Sequence, residues 1–299
     1  MAHSDTRARL RQVLERSAIQ MPGVLDAIQA RLAERLGFSG LYLSGAGLSA
    51  SLGLPDVGLI TLTELVERAR LICQTSTLPL LVDADTGFGE AVNVERTVRL
   101  LEATGVAGMH MEDQELPKRC GHLSGKRLVA TEVMVQKIRA AVAAREDRHF
   151  LLIARTDARA VEGFESAIRR AQAYLAAGAD GIFPEALESA EEMARFAQAV
   201  PSLLVANMTE FGRSPLLDFS TLAGMGYRIV LYPVTLARLA WKAVEAGLRE
   251  LKVHGHQRGL LPHMLTRQEL YDLLGYRDYE ERDRYYFAAT PEMSQHSKE

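Results

Sequence analysis

"FLLIARTDARAVEGFESAIRRAQAYLAAGADGIFPEA", residues 150–186, reads as one complete structural unit. Its opening run, 150–157, is apolar until it turns polar at Arg155 and Asp157. "FESAIRRAQAYLAA" then places apolar residues at i, i+3, i+4 and i+7, the spacing of an amphipathic helix. Gly178 ends that helix, because a residue without a Cβ enters the left-handed conformation freely. A second apolar run, "GIFPEA" (181–186), follows. Strand, helix and strand in this order predict a βαβ unit with parallel strands.

The same beat runs along the chain. Apolar or β-branched runs at 19–24, 40–45, 79–85, 108–113, 150–157, 181–186, 203–209 and 227–233 make eight. Between most of them lie helical patterns such as "VLDAIQARLAERL" and "EVMVQKIRAAVAA", and Gly37, Gly105 and Gly226 recur where Gly178 does. Eight such units predict a (β/α)8 TIM-type barrel. A doubly wound open sheet is the competing topology, but no Gly-rich dinucleotide fingerprint follows the first strand. The expected organisation is a single barrel domain over 1–299, with extra C-terminal helices at about 235–287 and a disordered tail at 288–299.

Composition bounds the function. The 299 residues are 47% hydrophobic and 24% charged, enough for a large core without staples. A net charge of -3 attracts neither nucleic acid nor an anionic membrane. No apolar run reaches the ~18 residues of a membrane span, and the polar start is unlike a secretory signal. Two cysteines are too few for a disulfide framework, so the cytoplasm is the expected compartment.

Barrels of this kind act at the C-terminal ends of their strands. Polar residues collect there: Ser44, Asp83 and Asp85, Glu112 and Asp113, Arg155 and Asp157, Glu185, Asn207 and Thr209. Any one acid could be a helix cap, but the pattern repeats on strand after strand. In "DADTGFG" (83–89), a strand would point Asp83 and Asp85 to one side, beside Glu112. Three carboxylates without a Cys/His cluster suit Mg2+, or Mn2+, with Asp56 of "LGLPD" as a fourth acid. The alternative is that these acids cap helices or pair with Arg119 and Arg155. In "KRCGH", Cys120 lies among Lys118, Arg119 and His122, whose charges would lower its pKa. Such a thiol could move a proton or act as a covalent nucleophile; a chance surface cysteine is the plain alternative.

"LYLSGAG", "SLGLPD", "LPLLVDADTGFG", "PKRCGH", "ARTDA", "FPEA", "ANMTEFG" and "LYP" together resemble the 2-methylisocitrate lyases, a branch of the isocitrate lyase / phosphoenolpyruvate mutase superfamily. The resemblance spans about residues 12–287. It implies a Mg2+-dependent carbon–carbon lyase that acts on a tricarboxylate in propionate breakdown by the methylcitrate cycle. Asp83 and Asp85 would be the metal acids, with Glu112 and Asp56 holding metal-bound water. Ser44, Gly45 and Ala46 would receive a substrate carboxylate. Cys120 would be the general acid in a catalytic loop with Gly121 and His122, and Tyr42 would stand near the reacting oxygen. Arg155, Glu185, Asn207, Met208, Thr209, Arg238 and Arg267 would contact substrate. Ala46 stands where the family often has glycine, and it would resist a positive φ. Phe183, Leu231 and Pro233 are candidates for a methyl pocket, with barrel packing as the alternative. The C-terminal helices would be exchanged between subunits of a homotetramer, a dimer of dimers. Another short-chain lyase acting on isocitrate or 2,3-dimethylmalate, or a non-catalytic dicarboxylate-binding barrel, remains the competing reading.

Overall fold

The structure, a computed structural model, describes residues 2–288. The chain forms two compact units, Met1–Ala240 and Trp241–Glu299. The first contains eight strands: β1 (Ile19–Pro22), β2 (Leu41–Leu43), β3 (Leu80–Asp83), β4 (Gly108–Glu112), β5 (Leu151–Thr156), β6 (Gly181–Pro184), β7 (Leu203–Asn207) and β8 (Tyr227–Tyr232). All pair in parallel, each with its neighbour in sequence, and β1 pairs with β8. One parallel bridge, Gly23 to Tyr42, completes the ring between β1 and β2. The expected barrel is present, and each strand falls within the run predicted for it. Gly37, Gly105, Gly178 and Gly226 all have positive φ, between 81° and 107°.

The pleat sorts side chains by parity. Leu41, Leu43, Val82, Met109, Met111, Leu152, Ala154, Ile182, Leu204 and Ala206 pack in the layer between strands and helices. Ile19, Met21, Tyr42, Leu81, Ile153, Phe183, Val205, Ile229 and Leu231 form a second buried cluster, on the alternate positions that fill the barrel. Leu10 and Leu14 of the helix Ala2–Arg16 join it. On β3, β5, β6 and β7 the chain turns polar two residues beyond the inner apolar position: Leu81 leads to Asp83, Ile153 to Arg155, Phe183 to Glu185 and Val205 to Asn207. The barrel interior is therefore mainly apolar below and charged at its mouth.

The helix Thr235–His254 crosses the boundary between the units. The second unit continues with a 3-10 turn at Arg258–His263 and helices Arg267–Leu274 and Tyr276–Ala288. Leu239 and Leu248 of the helix Thr235–His254 are 64% and 62% exposed. The tail expected at 288–299 lies outside the described residues, apart from Ala288, which ends a helix.

Candidate active site

Four acids and one lysine occupy one side of the mouth. Asp83 ends β3 and accepts hydrogen bonds from the amides of Gly45 (3.0 Å) and Asp85 (3.1 Å). Asp85 lies beyond the strand with φ of 45°. Strand alternation is thus not what brings these acids together, as the sequence suggested. A turn through the left-handed region does so, a conformation Asp tolerates better than most residues. The Lys118 ammonium reaches Asp85 Oδ1 at 2.7 Å and also pairs with Asp56. One lysine does not compensate this cluster. Burial, with repulsion from Asp83 and Asp56, raises the Asp85 carboxyl to about 6 even against Lys118. Burial also pushes Glu112 well above the usual carboxylate range, despite Arg155 and Lys118. For Asp83, burial is outweighed by His110, Lys118 and Arg155, and its pKa is lowered.

The opposite side is balanced. Arg155 donates to Asp157 through Nε (3.0 Å) and Nη2 (3.2 Å), and its Nη1 lies 3.3 Å from Glu112 Oε2. Its guanidinium stands 5.3 Å from the Phe183 ring centroid. Glu185 receives Asn207 Nδ2 (3.2 Å) and pairs with His122 Nε2 (2.7 Å). Burial would raise Glu185, but Arg155 and the His122 hydrogen bond hold it far below its ordinary value. Asp113 faces away from the mouth and anchors the frame, accepting from Thr156 Oγ1, Tyr174 OH and the Asp157 amide.

The loop carrying Cys120 lies closed over this mouth. An antiparallel bridge between Gln114 and Leu128 holds its ends. A Cβ added at Gly121 would collide with Arg155 and Glu185, so only glycine seats the loop this deeply. The cations around Cys120 in sequence point elsewhere. Lys118 faces acids, His122 faces Glu185, and Arg119 is exposed. The expected lowering of the thiol pKa is therefore wrong. Burial raises it, and the hydrogen bond with the His122 backbone and the charge of Arg155 offset this only partly. A thiol that keeps its proton suits an acid better than a nucleophile.

Tyr42 OH lies 2.8 Å from His110 Nε2 and 3.5 Å from Asp83 Oδ2. Burial and Asp83 raise the phenol well above its usual pKa, and burial lowers His110 to about 4. Ser44 caps the helix Gly45–Ser51, in which Ala46 has no positive φ, so the missing glycine imposes no strain. Met208 packs its side chain in the outer layer and donates its amide to Leu231 O (2.9 Å). Arg238 reaches Glu210 Oε2 (2.6 Å) and, at 3.5 Å, Thr209 Oγ1. Arg267 belongs to the second unit, where it opens its helix. Phe183 meets His110 edge-on at 5.1 Å, while Leu231 is fully buried in the barrel interior. Sequence reasoning missed His110, Lys126 and the pairing of Lys118. His110 was findable, being two residues before Glu112 and hence on its face of β4.

Among the described residues, no three His, Cys, Asp or Glu side chains form a ready-made metal cage. The acids nevertheless fit a hard cation. Glu112 Oε1 is buried without a hydrogen bond, and Asp85 Oδ1 has only its contact with Lys118. All donors are oxygens. Mg2+ is commonly held by one or two carboxylates with water and substrate completing its shell, and not by a full protein cage.

An acid cluster short of positive charge, facing a buried arginine under a cysteine-bearing loop at a barrel mouth, defines an enzyme of small anionic substrates. The family profile of phosphoenolpyruvate phosphomutase matches residues 10–252. A 2-methylisocitrate lyase of Aeropyrum pernix is 54% identical, covering 92% of this chain and 89% of that one. That of Bacillus subtilis is 48% identical, covering 95% and 94%. The solved structure of 2,3-dimethylmalate lyase, a superfamily member, aligns with a TM-score of 0.88 at 34% identity, over 100% of this chain and 99% of that one. Phosphonopyruvate hydrolase, solved with oxalate and Mg2+, aligns with a TM-score of 0.83 at 34% identity, over 97% and 99%. The chain belongs to the phosphoenolpyruvate mutase/isocitrate lyase superfamily, and it is a carbon–carbon lyase.

Proposed function

We propose that this enzyme cleaves 2-methylisocitrate to pyruvate and succinate, with Mg2+, or Mn2+, as cofactor. The observation that carries the reading is the closed loop, which seats Gly121, next to Cys120, against buried Arg155, while burial raises the thiol pKa and favours its acid form. The metal would be held by Asp83 and Asp85, with Glu112 and Asp56 toward its water. Bound there, it would acidify the substrate's tertiary hydroxyl and orient the adjoining carboxylate. Tyr42, 2.8 Å from His110 Nε2, stands by the reacting oxygen, and the hydroxyl proton passes to a carboxylate of the acid cluster, where burial raises the proton affinity of Glu112. The C–C bond electrons move to the succinate carbon, and Arg155 offsets the extra charge. Cys120 then delivers its proton to that carbon. Ser44, Gly45, Ala46, Gly121, Glu185, Asn207, Met208, Thr209, Arg238 and Arg267 are assigned to substrate binding, and His122 to holding the loop on Glu185. Phe183, beside Arg155, supports a methyl pocket with Leu231 and Pro233. The test is product analysis on synthetic 2-methylisocitrate. Pyruvate and succinate in equal amounts support the reading, and an untouched substrate overturns it.

The enzyme is proposed to be a cytoplasmic homotetramer, a dimer of dimers, with 235–287 as a helical extension of one barrel domain exchanged between subunits. Supporting this, Leu239, Leu248, Val253 and Phe287 are 62–75% exposed, apolar side chains that a neighbouring subunit would cover. No described helix is long and apolar enough to cross a membrane.

A further inference from the structure

The loop over the mouth is held by a group that the reaction itself does not use. Lys126 lies at its far end, six residues after Cys120, and its side chain is only 1% exposed. Such burial is rare for lysine unless the charge is paired. The ammonium donates to Asp157 Oδ1 at 2.7 Å and to the backbone carbonyl of Gly121. One cation thus ties the residue next to Cys120 to the barrel wall.

Its anchor is rigid. Asp157 is fully buried, and its amide donates to Asp113 Oδ1 at 2.9 Å. The same carboxylate holds the Arg155 guanidinium through two hydrogen bonds. Asp157 therefore fixes both the positive group at the mouth and the loop above it. The other tie, His122 to Glu185, is made by the residue next to Gly121, and on the far side of Cys120 the Lys118 ammonium pairs with Asp56 and Asp85. Held at Lys118 on one side and at Gly121 and His122 on the other, the loop can present the thiol in only a narrow range of positions.

We propose that Lys126 is a positioning residue: it latches the 114–128 loop shut by bridging Asp157 and the Gly121 carbonyl, and so sets where the Cys120 thiol stands. This rests on the reading of Cys120 as the proton donor acting from the closed loop. Removing the ammonium leaves Asp157 paired with Arg155, so the barrel is not left with a bare buried charge. What is lost is the hold on the loop.

The test is alkylation of Cys120 by iodoacetamide, followed by mass spectrometry without substrate. Cys73, whose thiol burial pushes up to about 12, is the internal control for global opening. In Lys126→Met, Cys120 is expected to react roughly 10- to 100-fold faster, the population change that loss of one charged hydrogen bond brings. Cys73 stays slow. Lys126→Arg, which keeps the charge and donors, is expected to restore most of the protection and most of kcat/KM. A Cys120 rate within twofold of wild type in a folded Lys126→Met protein overturns the latch. Should that variant also expose Cys73, hydrogen exchange on the unaltered chain decides. The Arg119 and Leu123 amides, bonded to Gln114 and to the Cys120 carbonyl, are expected to be protected. Exchange within seconds would show an unlatched loop. The alkylation and exchange readouts contain no substrate, so a wrong substrate assignment leaves both intact.

Discussion

The two sides of the barrel mouth are built from similar residues and end in opposite electrostatic states. Around Lys118 stand Asp56, Asp83, Asp85 and Glu112, and two of these acids are pushed toward their protonated forms. Around Arg155 stand Asp157 and Glu185, with Glu112 shared between the two sides, and Glu185 is held firmly ionised. Both sides are buried, so desolvation does not distinguish them. The difference lies in the number of cations and the hydrogen bonds each carboxylate receives. A buried cluster short of positive charge suits a cation, which is the role proposed for it. A balanced one is a finished frame that can hold an anion and a loop in place.

The comparison breaks most visibly on chelation. Removing divalent ions is expected to abolish turnover, and Asp85→Ala to lower kcat on the order of 1,000-fold, the scale of losing one charge that stabilises an oxyanion. Full activity in chelator would contradict the cation site. Affinity for Mg2+ is expected to weaken as pH falls through about 6, because Asp85 must lose its proton to hold the ion. Calorimetry in buffers of different ionisation enthalpy should therefore show protons released on binding.

Next in size is Cys120→Ser, expected to fold normally and lose about 100- to 10,000-fold in kcat, the usual contribution of a general acid. A variant within a few-fold of wild type would exclude the thiol as acid, and a trapped thioether or thioester with true substrate would favour a nucleophile. Burial raises this thiol above its ordinary value of 9.0. The acid form must be present for turnover, so the alkaline fall in kcat/KM assigned to Cys120 is expected above pH 9.0, and to disappear in the serine variant.

What could be read from sequence follows the range of the interactions involved. The strands and their polar ends were legible because parity and helical period are local. Val205 to Asn207 is the same step as Ile153 to Arg155, and one reading serves both. The Asp83–Asp85 pair was found for an incomplete reason, since a left-handed turn at Asp85 leaves no mark in the residue types alone. The state of Cys120 was misread because neighbours in sequence are not neighbours in space. Lys118 turns to Asp56, 62 residues away, and His122 to Glu185. Lys126 went unnoticed because its partner, Asp157, comes from another strand end, 31 residues on.

The smallest expected effect is also the most direct test of the assignment. Burying one methyl is worth ~0.8 kcal/mol by transfer alone. A shaped pocket raises the discrimination to roughly 10- to 200-fold. Phe183 lies against both His110 and Arg155, where a methyl on the hydroxyl-bearing carbon would be sensed. The measurement is kcat/KM from pyruvate release with 2-methylisocitrate and 2,3-dimethylmalate, and from glyoxylate release with isocitrate, under saturating Mg2+. 2-Methylisocitrate is expected to lead, and Phe183→Ala to narrow its margin over isocitrate. Equal efficiency on all three, or a lead for isocitrate or dimethylmalate, would contradict the account.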